Sequence, residues 1–187
     1  MGDLLLLGDR QSLGCSPKCL ERLAVAAGAA RRARSGTRLR VVPGMQQLSF
    51  LAVPPRGPRA QVAGIVFTAR VIDKLRAALP GGELNGYFPF TGFSELWAYY
   101  TKIDLTALQR CIVAAESEAD VEVWLLERTA ELDKPKINAK MEGFESARTP
   151  ESMRETFEQA YPAALRERYT VVFDLLEADD ALRYLGG

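Results

Sequence analysis

Apolar residues recur at helical spacing through most of the second half of the chain. An amphipathic helix places its apolar side chains at i, i+3, i+4 and i+7, on the face that packs against the core. This spacing predicts helices with apolar stripes at residues 93–103, 105–115, 121–132 and 153–176, the last restarting or kinking at Pro162. We expect residues 93–132 and 149–177 to form one helical core that buries Trp97, Tyr100, Leu108, Ile112, Trp124, Phe157, Tyr169 and Phe173.

The first half of the chain carries two further helical signals. An apolar residue at every fourth position from Phe67 to Leu79 predicts a helix that starts at about residue 60 or 68 and ends at Leu79, before Pro80. A serine followed by a proline at positions 16 and 17 is typical of a helix start, and predicts a helix over residues 16–34.

Two stretches lack this periodicity. Residues 37–59 are interrupted repeatedly by proline and glycine, which predicts extended segments and a stiff linker rather than a compact local fold. Residues 133–148 are mostly polar and contain Pro135 and Gly143, so we interpret them as a connector between helices.

The predicted fold is therefore mainly α: a small antiparallel helical bundle with an extended, Arg-rich N-terminal region. The chain of 187 residues is long enough for one domain with an ordered arm. We predict a basic N-terminal helix and extended arm over residues 1–59 and a helical domain over residues 60–187.

The net charge is zero, but the charges are unevenly distributed. Residues 1–80 contain 13 basic and 4 acidic residues, whereas residues 81–187 contain 11 basic and 20 acidic residues. Between Glu21 and Asp73 there are nine arginines and no acidic residue. Three interpretations fit this asymmetry: a mitochondrial or plastid targeting segment, contacts with nucleic acid phosphates, or docking of the basic half on its own acidic half or on an acidic neighbour.

The absence of histidine excludes several kinds of chemistry. A Ser-His-Asp or Cys-His nucleophile and any metal site with a histidine ligand cannot be built from this chain. The cysteines Cys15, Cys19 and Cys111 are too few to complete a zinc site without carboxylates. We therefore predict no metal, no cofactor and no catalytic residue.

No segment of the sequence is long and apolar enough to predict a transmembrane helix. Residues 81–86 form a glycine-containing loop without the lysine of a phosphate-binding motif. An aromatic cluster at a turn follows over residues 87–93, where we expect either the covered end of a core or a contact with a partner.

These features together favour a non-catalytic accessory or scaffold subunit of a larger, mitochondrial multi-subunit complex, such as a respiratory-chain or ATP synthase assembly. Its partners would be protein subunits with acidic surfaces, and a cytoplasmic location is the alternative. An RNA-binding subunit of ribosomal type is a second hypothesis, and a small histidine-free enzyme with a pocket near residues 87–93 and 99–100 is a third. The candidate partner-binding residues are Arg31, Arg32, Arg34, Arg38, Arg40, Arg56, Arg59, Tyr87, Phe88 and Phe90.

Overall fold

The computed structural model of the chain describes residues 45–185, apart from the side chains of Ser152, Thr156 and Leu185. The helix predicted over residues 16–34 lies outside the described residues. The same holds for the predicted partner-binding residues Arg31, Arg32, Arg34, Arg38 and Arg40, and for Cys15 and Cys19.

Within residues 45–185, a short hairpin is followed by eight α-helices, so the fold is mainly α as predicted. The hairpin pairs β1 (Gln61–Val62) with β2 (Ile65–Val66) in antiparallel orientation. The helices are α1 (Thr68–Ala77), α2 (Phe93–Thr101), α3 (Leu105–Ala114), α4 (Glu118–Arg128), α5 (Lys134–Glu142), α6 (Glu151–Ala160), α7 (Ala163–Arg168) and α8 (Val172–Leu185). A single 3-10 turn, Ser146–Arg148, precedes α6.

The hairpin is followed by a sharp turn that leads into α1. Ala63 and Gly64 both have positive φ, as the two-residue turn of a tight hairpin requires. Phe67 also has positive φ, and its backbone N–H donates to the Pro58 carbonyl. Its ring packs in a stack on Phe173 at 5.8 Å and edge-on against Phe93 at 5.0 Å. This aromatic packing holds the unusual backbone conformation at the entry to α1.

Helix α1 is the centre of the molecule. Nine of its ten residues are buried, including three that carry charged side chains: Arg70, Asp73 and Lys74. A helix that is buried on all sides cannot place its ionisable residues in solvent, so each of them must find a partner or change its protonation state.

The predicted core is largely confirmed. Trp97, Leu108, Ile112, Trp124 and Phe173 are buried, the last with no exposed surface. The other three predicted core residues, Tyr100, Phe157 and Tyr169, are half-buried.

The prediction of a connector over residues 133–148 is wrong for its first half, which forms α5. The Asp133 side chain accepts a hydrogen bond from the Lys136 N–H, and Pro135 occupies the first turn, where its missing N–H costs nothing. Ile137 and Met141, four residues apart, are the buried face of this otherwise polar helix.

Residues 45–59 cross the surface without forming a helix and are tied to the helical body at several points. Phe50 is buried, and its N–H donates to the Glu83 carbonyl. The Tyr184 hydroxyl donates to the Phe50 carbonyl from the other side. The domain boundary predicted at residue 59 stays a prediction.

Candidate functional site

A concave pocket of about 440 Å³ opens between α1, α2, α6 and α8. This volume falls in the range of pockets that bind small molecules. The loop that joins α1 to α2 forms one wall. The residues of this pocket are Lys74, Gly86, Tyr87, Phe88, Thr91, Gly92, Phe93, Glu95, Leu96, Phe144, Thr149, Pro150, Met153, Phe157, Ala160, Tyr161, Val172, Asp179 and Arg183.

Most of the pocket wall is apolar. Apolar side chains come from three separate parts of the chain: Phe93 and Leu96 on α2, Phe144 after α5, and Met153 and Phe157 on α6. Phe93 contacts Phe144 edge-on at 5.6 Å, so these rings form a continuous surface. Burial of an apolar ligand against such a wall is favourable, because it removes apolar surface from water.

Of the ionisable residues that line this pocket, Lys74 is the most deeply buried, with 5 % of its surface exposed. Its Nζ donates a hydrogen bond to the Ser94 Oγ at 2.5 Å and lies 5.1 Å from the centre of the Phe67 ring. Within residues 45–185, Lys74 forms no ion pair with a carboxylate. One hydroxyl and one ring face replace little of the hydration that an ammonium group loses on burial.

The pKa of Lys74 is consequently lowered well below its ordinary value. Loss of hydration is the main cause, and the positive charge of Arg70, one helical turn earlier on α1, lowers the pKa further. Asp180 acts in the opposite direction, but more weakly. Burial and the charge of Arg70 therefore shift the protonation equilibrium of this side chain towards the neutral amine.

Arg70 is held in place by a buried network that spans α1, α8 and the loop between α1 and α2. Its guanidinium binds Asp180 in a bidentate manner, with N–O distances of 2.7 and 3.0 Å. It also donates to the Arg56 carbonyl, and the Tyr87 hydroxyl donates to Asp180 at 2.6 Å. Because Asp180 is occupied by Arg70 and Tyr87, it does not neutralise Lys74 directly.

Two further polar groups line the pocket. The Tyr161 hydroxyl has no hydrogen-bond partner among the described residues, and burial raises the pKa of Tyr161 to about 12. Asp179 binds the Nε of Arg183, one turn later on α8, at 2.9 Å. Burial is also the main reason that the pKa of Asp179 is raised, with Asp180 adding to the effect and Arg183 opposing it.

This arrangement supports two kinds of chemistry. A neutral lysine amine is a nucleophile toward carbonyl carbon and a general base, whereas an ammonium group is neither. The alternative nucleophile, the Ser94 hydroxyl, belongs to a residue with no exposed surface that does not line the pocket. Of these two residues, Lys74 is therefore the one that a ligand in the pocket can contact.

The predicted partner-binding residues fall in different places. Arg56 pairs with Asp73 and Glu118, at 2.8 and 2.6 Å, and Arg59 pairs with Asp174 and Glu177, at 2.6 and 2.7 Å. Both arginines thus contact acidic residues of the same chain.

The predicted aromatic residues lie at or near the pocket. Tyr87 and Phe88 line it, and Tyr87 belongs to the Asp180 network. Phe90 and Phe88 are partly exposed, Phe90 by 39 %. Their role in binding a partner stays a prediction.

Sequence reasoning missed Lys74, Ser94, Arg70, Asp180 and Tyr161. The available signal was weak: Arg70 and Lys74 are four residues apart in a helix that is otherwise rich in apolar residues. Their contacts are with residues outside α1, Asp180 on α8 and Ser94 on α2, and periodicity within α1 does not show them.

Two further findings concern metals and membranes. Among residues 45–185, no group of three acidic, cysteine or histidine side chains is placed to hold a metal ion. Cys111 is buried, and burial raises the pKa of its thiol to about 11. None of the described helices has the length and hydrophobicity needed to cross a membrane.

Comparison with known proteins identifies a family but no characterised relative. No curated protein and no solved structure matches the chain. Residues 52–182 match the family described as "Domain of unknown function (DUF5069)". This segment includes more than two thirds of the chain, the hairpin, every pocket residue except Arg183, and both members of the Arg70–Asp180 pair. The chain belongs to the DUF5069 family.

Proposed function

We propose that this protein is a small enzyme that uses the amine of Lys74 to attack the carbonyl group of a small, largely apolar substrate. The observation that carries the proposal is the burial of the Lys74 amine at the wall of a 440 Å³ pocket without a carboxylate partner in the described part of the chain. A histidine-free enzyme must rely on groups of this kind.

The energetics support a functional role for Lys74. Burying an amine costs free energy that an apolar side chain of the same size would not cost. Arg70 adds a positive charge nearby, which further destabilises the ammonium form. Lysine nucleophiles are activated by these two effects, desolvation and a neighbouring cation.

The covalent step is balanced without a further reactant. The Nζ lone pair forms a bond to the carbonyl carbon while the carbonyl π pair moves to oxygen, which takes up a proton. Nζ then gives up its protons and the oxygen leaves as water, so that amine and carbonyl become imine and water. The Ser94 hydroxyl, at 2.5 Å from Nζ, is placed to accept and return a proton during this exchange. The apolar wall holds the body of the substrate and limits access of water to the imine.

The test is reductive trapping at pH 7 with heptanal and sodium borohydride, followed by peptide mapping with mass spectrometry. Ordinary lysines are almost fully protonated at this pH, with pKa values of about 10.4, so a lysine with a lowered pKa should react first. We expect one adduct per chain, on Lys74. Mapping distinguishes it from an adduct on the α-amino group.

The control variants are Lys74→Met, which should lose the adduct, and Lys136→Met, which removes an exposed lysine of α5 and should retain it. Labelling of Lys74 no faster than of Lys136 would overturn the proposal. So would an adduct of equal yield in the Lys74→Met protein.

The role of an accessory subunit in a larger complex stays a prediction. Most of the arginines on which it rests lie outside the described residues, and Arg56 and Arg59 are paired within the chain. Purification of the native protein, with mass spectrometry of whatever accompanies it, tests this role directly. A protein purified without stoichiometric companions would contradict it.

A further inference from the structure

The rim of the pocket carries a second functional group, the guanidinium of Arg183 on α8. Two contacts fix its orientation: Nε binds Asp179 at 2.9 Å, and the guanidinium carbon lies 5.3 Å from the centre of the Tyr87 ring. Tyr87 is itself fixed by its hydrogen bond to Asp180. Arg183 is thus held in place, although about a third of its side chain is exposed.

The two terminal nitrogens of Arg183 have no acceptor in the described part of the chain. Among residues 45–185, the Nη1 and Nη2 atoms form no hydrogen bond, because the ion pair with Asp179 uses Nε. A guanidinium with both terminal nitrogens available has the planar, two-pronged geometry that binds a carboxylate through two parallel hydrogen bonds.

Tyr161, which lines the same pocket, adds a second donor, because its hydroxyl has no hydrogen-bond partner among the residues that the structure describes. Since burial raises the pKa of Tyr161 to about 12, it keeps its proton at neutral pH and remains a donor. The Asp179 carboxylate contacts Arg183 through Nε, and Glu95, which also lines the pocket, is exposed to solvent, which screens its charge.

The pocket therefore offers three different environments to one ligand: a nucleophilic amine at Lys74, an apolar wall, and a carboxylate-binding group at Arg183. We propose that the substrate is an oxo acid with an apolar body, whose carbonyl carbon faces Lys74 and whose carboxylate binds Arg183. This inference rests on the proposed function and names its substrate class.

The experiment compares straight-chain seven- and eight-carbon oxo acids, with the ketone at different distances from the carboxylate, against 2-octanone. Each compound is trapped on the full chain with borohydride, and the yield of the Lys74 adduct is measured against concentration. A charged hydrogen bond contributes about 1.5–3 kcal/mol, so at least one oxo acid should reach half-maximal labelling at a concentration about tenfold lower than the ketone.

The Arg183→Gln variant should lose this preference and label equally with acid and ketone. Arg183→Lys keeps a charge next to Asp179 but lacks the two-pronged geometry, so its preference should be intermediate. It also serves as the readout if Arg183→Gln fails to fold. The control Arg110→Gln removes an exposed arginine of α3 and should keep the full preference.

The outcomes separate the two proposals. If 2-octanone labels Lys74 but no oxo acid labels it better, the substrate class is wrong and the nucleophilic lysine stands. A preference that persists in both Arg183 variants would also overturn the assignment of the carboxylate site. If neither kind of compound labels Lys74, the proposed function itself fails.

Discussion

Arg70 and Lys74 lie one turn apart on α1, and both are buried, but within the described residues only Arg70 has a carboxylate partner. The paired cation keeps its charge, because Asp180 and two main-chain carbonyls replace its hydration. The unpaired amine is driven toward its neutral form by the same burial and by the charge of its neighbour. One helix thus holds a fixed positive charge beside an amine whose protonated form is destabilised.

This contrast predicts that Lys74→Met stabilises the protein. Methionine has a similar length, fits an apolar wall and carries no group that must be desolvated. The substitution removes the cost of burying the amine but also removes the hydrogen bond to Ser94. We expect the net effect to be a rise of about 1 kcal/mol or more in the free energy of unfolding at pH 7. Thermal and urea unfolding measure the change. The same substitution at exposed Lys136 should have no measurable effect, and a clear loss of stability in Lys74→Met would contradict this account of the site.

The stabilisation should depend on pH in a defined direction. Because the pKa of Lys74 is lower in the folded than in the unfolded protein, the unfolded chain binds more protons between these two pKa values, and the wild-type protein gains stability as pH rises through that interval. The ordinary value of 10.5 marks its upper end. The difference in the free energy of unfolding between Lys74→Met and the wild type should therefore be largest at neutral pH and decrease toward pH 10.5. Urea unfolding of both proteins at a series of pH values provides the measurement, and an advantage that is constant or grows over this range would show that Lys74 is charged in the folded protein.

The sequence alone predicted the helical character of the fold because most helices show a periodic apolar stripe. The helix at residue 93 and the restart after Pro162 are both present in the structure. These features are local, since the spacing of a few neighbouring residues determines them.

The site was not predictable in the same way. Lys74 and Arg70 have the sequence context of ordinary solvated helix residues, and they become buried because α2 and α8 cover α1. The sequence analysis also missed the helix α5, which is mostly polar. Its two buried residues, Ile137 and Met141, are too few to produce a periodic stripe, although Asp133 and Pro135 marked its start.

Phe173 should be among the most sensitive core positions. Its ring has no exposed surface and contacts Phe67 and Phe93 at 5.8 and 5.5 Å. Replacement by alanine removes this packing and leaves a cavity, so we expect Phe173→Ala to lower the free energy of unfolding by about 3–5 kcal/mol. Chemical denaturation measures the change, and Leu182→Ala, at an exposed position of the same helix, should change stability by less than about 0.5 kcal/mol. Similar midpoints for the two variants would mean that the packing around α8 is assigned incorrectly.

The last prediction separates the buried ion pair of the site from an exposed one on the same helix. Asp180 binds Arg70, and this pair is buried. Asp174 binds Arg59, and the side chains of Asp174 and Arg59 are each more than 40 % exposed. Removing one partner of a buried pair leaves an uncompensated charge, so Asp180→Asn should lower the free energy of unfolding by about 3–5 kcal/mol. Asp174→Asn should cost less than about 1 kcal/mol, because solvent screens the exposed pair.

The double variant Arg70→Met/Asp180→Leu completes this test. Replacing both charges by apolar side chains removes the unpaired cation and should recover much of the stability lost in Asp180→Asn. It also removes the positive charge beside Lys74, so the pKa of Lys74 should rise relative to the wild type and labelling by heptanal at pH 7 should slow. Urea unfolding measures the first effect and the pH dependence of labelling the second. A double variant that regains stability while Lys74 reacts as fast as in the wild type would mean that desolvation alone, without Arg70, keeps the amine neutral.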